Sequence, residues 1–429
     1  MAIKRNHQIY KRLISLLAIS GLAGASAPVW SSAFSLNEQN AKDLGTAYAG
    51  AVSSAEDAST GWYNAAGLVR LGQEQIAVSA VYINSQTTQS GTAATNQGVS
   101  MGAGSAKGKN QSVIPSLHYA KRIDESWVFA LNITSPFGLK NNFKVNDFNR
   151  YVGTRAEIRT VDIGPSLAYG FNNGFSIGGG VDALYAQAKL DARVGAANNP
   201  ATDGFLENTA SDWGLGYHAG VLYEFNDCNT RVGAHYRSKV KIKARGNTTA
   251  AIPAPLPTAV QADITLPESM VLSAYHEFDD QWAIMADIQQ TRWKRFNELR
   301  LRFDNQRQAV TTENFKDSMR YALGVSYQIS EPWKIKVGTA FDRTPTRDSN
   351  RTTAIPDQNR TWAAIGAQYR VSSALTLDFG YAHLFFKKAN ISQLAPLRET
   401  GALSGLQNFK GTSKTRADLI GMQLTWDFV

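Results

Sequence analysis

Hydrophobic and polar positions alternate along most of this chain. At the C-terminus, Ile420, Met422, Leu424, Trp426 and Phe428 interleave with Gly421, Gln423, Thr425 and Asp427. Successive side chains of a strand point to opposite faces, so this pattern predicts a strand with one apolar face and one small or polar face. Trp333, Ile335, Val337 and Phe341 alternate in the same way with Lys334, Lys336, Gly338 and Asp342. Val240, Ile242 and Ala244 alternate with Lys239, Lys241, Lys243 and Arg245. Lysines aimed into a dry core would carry a large desolvation penalty, whereas lysines aimed into a wet lumen would not. The expectation is therefore a wall whose basic positions face an interior channel.

The punctuation supports a barrel. Short turn signals recur at Asp124-Glu125, Asn172-Asn173-Gly174, Asp227-Cys228-Asn229, Asp279-Asp280, Glu331-Pro332 and Ser372-Ser373. Longer polar stretches separate them, at 85–110, 141–154, 195–210, 246–261, 304–313, 346–357 and 394–413. Short turns at one end and long loops at the other are the layout of an outer-membrane barrel, and about fourteen alternating segments follow Gln75, an even number as such barrels require. The predicted fold class is all-β: a 14-stranded antiparallel transmembrane β-barrel. Trp127, Trp282, Trp333 and Trp426 fall near predicted strand ends, where an aromatic girdle would sit. Gly178-Gly179-Gly180 suits close backbone packing inside such a barrel.

Two segments do not alternate. Met1 to Arg12 carries Lys4, Arg5, Lys11 and Arg12 without an acid, and Leu13 to Ala25 is apolar and small. With Ser31-Ser32-Ala33 as a small-x-small cleavage site, this is the layout of a secretory signal peptide, too short in its apolar part to span a bilayer. Ala25-Ser26-Ala27 is the alternative cleavage site. Residues 34 to about 73 are rich in small residues, among them Ala41, Gly45, Ala47, Ala49, Ala51 and Ala58. Placed before the first strand, they predict short helices plugging the lumen; a free periplasmic tail is the alternative. The predicted division is a signal peptide at 1–33, a hatch at 34–73 and a barrel at 74–429.

Composition narrows the classes further. In 429 residues, 43% are hydrophobic and 10% aromatic, too much apolar surface for a disordered chain. The single Cys228 excludes a disulfide scaffold. Mean hydropathy of -0.27, with no long apolar run after residue 30, argues against transmembrane helices. Losing the four basic residues of the signal peptide lowers the formal charge from +9 to +5, so much of the basicity belongs to targeting. No Lys/Arg cluster is interleaved with stacking aromatics, which speaks against nucleic acid. Gly98-Val99-Ser100-Met101-Gly102 fits a nucleophile-elbow pattern, but it lies in a polar stretch without the strand and helix that the motif needs. Gly102 to Lys109 approximates a phosphate loop with the wrong spacing, and Asn110 stands where Ser or Thr is required. His118, His218, His235, His276 and His383 show no metal-ligand spacing. No catalytic activity, cofactor or metal is expected.

Several motifs resemble one family. Phe34-Ser-Leu-Asn-Glu38, Gly45-Thr-Ala-Tyr-Ala-Gly50, Asp57 and Trp62-Tyr-Asn-Ala-Ala-Gly-Leu68 look like the N-terminal hatch of the FadL family. Ser135-Pro-Phe-Gly-Leu139, Ile163-Gly-Pro-Ser-Leu-Ala-Tyr169, Leu266-Pro-Glu268, Phe315-Lys-Asp317, Ile355-Pro-Asp-Gln-Asn-Arg-Thr-Trp362 and Gly380-Tyr-Ala-His383 continue the match in the family's order. The resemblance implies a monomeric, multi-pass barrel of the bacterial outer membrane that passively transports long-chain fatty acids or aromatic hydrocarbons. Its partners would be such hydrophobic molecules, or detergent in a structure, together with outer-membrane lipid and lipopolysaccharide. The family's substrates leave sideways through a gap at a kink in the third strand.

The sequence supplies its own reason for a kink. Within the segment from Ala130 to Leu139, Pro136 lacks a ladder donor, and Gly138 accepts dihedrals that a strand would not choose. With Ser135 and Phe137 these residues mark either the strand's extracellular end or a built opening. Unpaired backbone groups in lipid are costly unless they face protein or water.

Two departures from the family stand out. The hatch motif Asn-Pro-Ala reads Asn64-Ala65-Ala66 here, losing the stiffening Pro and predicting a looser hatch around Asn64. The family's fatty-acid pocket pairs a serine with two basic residues; Ser135 falls on the serine, but Ala192 and Thr311 fall on the basic positions. Arg193 sits one step along, on the opposite face. Phe34, Ser135, Lys189 and Arg193 are the candidate ligand-binding residues. Loss of the clamp weakens the case for a fatty acid and favours an uncharged substrate such as an aromatic hydrocarbon. The alternative function is a non-transporting surface adhesin or receptor whose long loops do the work.

Overall fold

The computed structural model describes residues 33–428 apart from 96–99, 172, 195–200, 202, 226–228, 252–256 and 394–406. The predicted signal peptide lies outside the described residues except for Ala33. So do Gly98 and Val99 of the elbow-like motif. One antiparallel sheet of twenty strand segments closes on itself, with Gln75 opposite Asp427 where the first and last strands meet. Six wall strands are each broken into two segments, so the wall has fourteen strands.

The unbroken strands are the first (Glu74–Thr95), second (Ser100–Arg122), fourth (Arg155–Gly170), fifth (Phe175–Val194), sixth (Gly204–Glu224), eleventh (Trp333–Asp342), twelfth (Arg360–Arg370) and fourteenth (Gln407–Asp427). The third runs Trp127–Thr134 and resumes at Gly138–Asn142, and the seventh runs Thr230–Arg237 and Val240–Ala251. The eighth comprises Ala259–Leu266 and Ser269–Glu277, and the ninth Trp282–Thr291 and Glu298–Phe303. The tenth comprises Gln308–Thr312 and Ser318–Ser330, and the thirteenth Leu375–Phe386 and Ala389–Gln393. The described short turns all join strands at the end of the barrel that holds Gln75 and Asp427.

The alternation of the last strand is realised as read: Ile420, Met422, Leu424 and Trp426 face outward, and Gly421, Gln423 and Thr425 inward. Trp127, Trp282 and Trp333 are exposed at the turn end and lean on Tyr169, Tyr327 and Tyr369 across the strand pair, with ring centroids 4.9, 4.4 and 4.6 Å apart. Such tyrosine and tryptophan pairs suit a membrane interface, apolar on one side and wet on the other.

Two expectations need correction. The polar stretch 85–110 is mostly strand, because the first hairpin extends to Thr95 and restarts at Ser100. Above the membrane neither face needs to be apolar, so a polar sequence can still pair. The lysines of the seventh strand do not face the lumen: Val240, Ile242 and Ala244 are buried inward, and Lys241, Lys243 and Arg245 are exposed outside. In the eleventh strand Lys336 does face inward, yet it is buried and paired with Asp378 at 3.1 Å rather than bathed in water.

Residues 33–71 form two short 3-10 helices, Asp43–Thr46 and Ala65–Arg70, and one turn of α-helix, Thr60–Tyr63. Nearly all of these residues are buried. Leu44, Gly45 and Thr46 abut the eleventh to thirteenth strands, while Ala65 and Ala66 lie on the fifth, on the opposite wall. Contact is close: a Cβ on Gly45 would fall 2.6 Å from the Cα of Gly366, and one on Gly178 would fall 2.5 Å from the amide of Ala66. Glycine is the residue that lets two backbones approach this far.

Candidate functional site

The third strand breaks at Ser135-Pro136-Phe137, and the strand resumes beyond it, so the break is internal rather than an end. Every polar backbone group of these three residues finds a protein partner. The amide of Ser135 donates to Gln39 Oε1 at 2.8 Å, and Gln39 Nε2 donates back to the Ser135 carbonyl at 2.9 Å. The Leu36 amide donates to the Pro136 carbonyl at 2.8 Å, and the Gly138 amide to the Phe34 carbonyl at 2.9 Å. Thr160 Oγ1 accepts from the Phe137 amide at 3.0 Å and donates to its carbonyl at 2.7 Å. The N-terminal segment thus takes over the ladder that the kink gives up, which is what buried backbone requires.

Polar bonds hold the same segment elsewhere. His118 bridges Asn132 and the Gln39 carbonyl, each at 2.8 Å. Gln423 accepts from the Ala41 amide at 3.2 Å and donates to Asp57 at 2.6 Å. Asn64 is fully buried; its Nδ2 donates to the carbonyls of Val52 at 2.9 Å and Val221 at 3.0 Å, and its Oδ1 accepts from the Ala66 amide at 3.2 Å. Ala65 and Ala66 begin the second 3-10 helix beside it. Lys42 lies among Asp43, Glu56 and Asp57; burial works against its charge, but these carboxylates hold its pKa well above the ordinary lysine range. Glu38 has both carboxylate oxygens buried without a hydrogen-bond partner among the described residues, and burial pushes its pKa up to about 7.

Two cavities flank an aromatic cluster. Phe34, wholly buried, packs edge-on against Trp293 at 4.6 Å and Phe296 at 5.4 Å, with Phe137 at 6.3 Å. On the kink side lies a cavity of 80 Å³ bordered by Pro136, Phe137, Trp62, Arg237 and Asp287. Arg237 stacks 3.5 Å over the Trp62 ring and pairs with Asp182 at 2.5 Å. Ser166, His218 and Asp182 are linked in series at 2.9 Å each, the bond order of a hydrolase triad, but the Ser166 hydroxyl is buried against the wall. Among the described residues no acidic, histidine or cysteine group is arranged to hold a metal.

The upper cavity, of 190 Å³, is walled by Leu139, Ile158, Leu190, Ile264, Leu299 and Leu301, with Phe296 at one side. Ala192 and Thr311 line it, and Lys189 and Arg193 do not. These two basic residues alternate along the fifth strand with Ala188, Leu190 and Ala192, which do line it, and the Arg193 guanidinium sits 6.0 Å from the Phe205 ring. Ser135 directs its hydroxyl to the Thr160 carbonyl at 2.8 Å, so the structure brings Phe34 and Ser135 together at the kink and separates Lys189 and Arg193 from them. Sequence reasoning gave no site role to Trp293, Phe296 or Glu313, and Phe315 entered only within the family motif Phe315-Lys-Asp317.

A closed fourteen-stranded barrel with an apolar outer face around its turn half, a buried N-terminal segment and internal cavities is an outer-membrane protein of the transport-channel class. The chain belongs to the family described as outer membrane protein transport protein (OMPP1/FadL/TodX), whose profile matches residues 22–428. It is 31% identical over 410 residues to the long-chain fatty acid transport protein of Salmonella typhi, covering 88% of this chain and 93% of that protein. It is 28% identical over 456 residues to outer membrane protein P1 of Haemophilus influenzae, covering 96% and 99%. In fold it is similar to a FadL homologue of Pseudomonas aeruginosa, with TM-score 0.83 at 20% identity over 92% of this chain and all of that one. Members of this family are transport channels, not enzymes.

Proposed function

We propose that this chain carries hydrophobic compounds passively across the outer membrane, from the upper cavity past Phe34 to the cavity at the kink, and out sideways there. The observation that carries this reading is the kink itself. A Pro-containing break in mid-wall is stabilised by the N-terminal segment, so moving that segment would release both the lumen and the wall opening. The segment acts as a hatch, and the relatives named for long-chain fatty acid transport support the substrate class of hydrophobes. The barrel works as a monomer, with its outward charges, Lys241, Lys243 and Arg245 among them, facing the phosphates of lipopolysaccharide.

Uptake by outer-membrane vesicles tests the reading. Vesicles carrying the protein should take up oleate or toluene faster than vesicles lacking it, and equal rates for both compounds would sink the proposal. Replacing Pro136 and Gly138 by Val restores a ladder donor and strand geometry. Uptake should then fall about tenfold or more while the barrel still assembles, because the continuous ladder closes the wall. Undiminished uptake in that variant would remove the sideways exit and leave the channel.

A further inference from the structure

The upper cavity has an apolar wall and one polar group that the wall does not explain. Three charged residues line it: Arg155, Asp191 and Glu313. Arg155 is engaged, donating from Nε to Glu157 at 2.8 Å and lying 3.8 Å from Asp191. Glu313 is different. It is 2% exposed, and its Oε2 is buried with no hydrogen-bond partner among the described residues. Its backbone is fixed, the amide donating to the Asn297 carbonyl at 2.8 Å in the connection between the two segments of the tenth strand. Phe296, Leu299 and Thr311 share the cavity with its side chain.

An ionised carboxylate without a partner in such surroundings is costly, so the group takes up a proton instead. Burial pushes the pKa of Glu313 up to about 8. A protonated carboxyl is one O–H donor with remaining acceptor capacity, and a buried donor without an acceptor is itself unfavourable. A ligand carrying an acceptor oxygen would supply that acceptor. An anion fits poorly, because the lining offers no free cation among the described residues. Size adds a further restriction: an apolar cavity of about 150 Å³ accommodates benzene, so 190 Å³ suits a substituted single ring.

We propose that Glu313 donates a hydrogen bond to the bound ligand and so selects uncharged monoaromatic-sized compounds bearing one acceptor oxygen, such as aryl ketones. This rests on the transport reading and deepens it by giving the upper cavity a ligand class.

The test uses the full chain in liposomes, with acetophenone, ethylbenzene and benzoate as probes followed by titration calorimetry. Acetophenone and ethylbenzene match in shape and differ in the acceptor oxygen. At pH 6.5 acetophenone should bind about tenfold more tightly than ethylbenzene, the worth of one hydrogen bond, with benzoate weakest. That preference should fall to about twofold at pH 9, where most of the carboxyl is ionised. E313L should abolish the preference and keep ethylbenzene binding, showing that the barrel still folds. E313Q, which keeps a donor, should keep the preference at both pH values. An infrared band of a protonated carboxyl should shift with acetophenone and be missing in both variants. Equal binding of the two neutral probes, or a preference that survives E313L, overturns the proposal alone. Failure of every probe to bind overturns it, and the transport reading falls with it only if oleate and toluene uptake is absent as well.

Discussion

In the seventh and eighth strands the two halves of this barrel are inside-out relative to each other. In the turn half, the eighth strand shows Met270 and Leu272 to the outside and Ser273 to the lumen. In the loop half, the same strand buries Val260, Ala262 and Ile264 inward and shows Gln261 and Asp263 outside. The seventh strand does likewise, with Val232 out and Arg231 in below the break, and Ile242 in and Lys243 out above it. Below, lipid lies outside and the polar anchors of the N-terminal segment lie inside. Above, water lies outside and an apolar cavity inside. The switch is made by the breaks at 238–239 and 267–268 and at the kink, because an irregular connection changes which alternate residues face inward.

The comparison can be broken most forcefully from the lipid side. Leu272→Arg should cost about 2–4 kcal/mol and reduce the folded, heat-modifiable band on a gel, since this face meets hydrocarbon. If that variant folds like the parent, the lipid-facing assignment of the lower half is wrong.

The next effect concerns the N-terminal segment and pH. Glu38 has its folded pKa raised to about 7 from an ordinary 4.5 by burial, so folding favours its protonated form. The stabilising contribution is therefore complete below about pH 4.5 and is lost as pH rises to about 7, with an upper bound of about 3 kcal/mol. Protection of residues 33–71 from protease should fall across that window, and E38Q should flatten the profile. A parent profile flat from pH 4.5 to 7 would contradict the burial of Glu38.

A third prediction probes the close packing of that segment. Gly45→Val drives a side chain into Gly366 and should cost about 1–3 kcal/mol, seen as earlier proteolysis of residues 33–71 with the wall unchanged. The smallest effect belongs to the upper outer face. Lys243→Leu should change stability by less than about 0.5 kcal/mol, as exposed positions do, against the large loss for a charge at Leu272. A loss as large as that for Leu272→Arg would erase the contrast between the halves.

Much of the barrel was legible because its cause is local. Period-two alternation in Ile420 to Phe428 reports a wall between lipid and a different interior, and the turn signals at Asp124, Asp279 and Ser372 mark where strands reverse. Pro136 and Gly138 announced a break for equally local reasons. The site was less legible. Lys241 and Lys243 alternate as cleanly as the residues of the last strand, yet alternation alone does not say which face is inside. Lys189 and Arg193 were candidates by nearness to the family's basic positions, and neither lines the cavity that Ala192 and Thr311 border.

The sequence by itself determined the strand number, the class of membrane protein and the place where the third strand is interrupted, since these follow from side-chain periodicity and from the missing donor of Pro136. Only the tertiary structure decided what each face meets. That Gln39 and Thr160 complete the broken ladder, that Ile264 and Leu301 share a cavity, and that Glu313 is left there without a partner among the described residues depend on residues far apart in the chain. No local pattern encodes such meetings, because they exist only once the sheet closes.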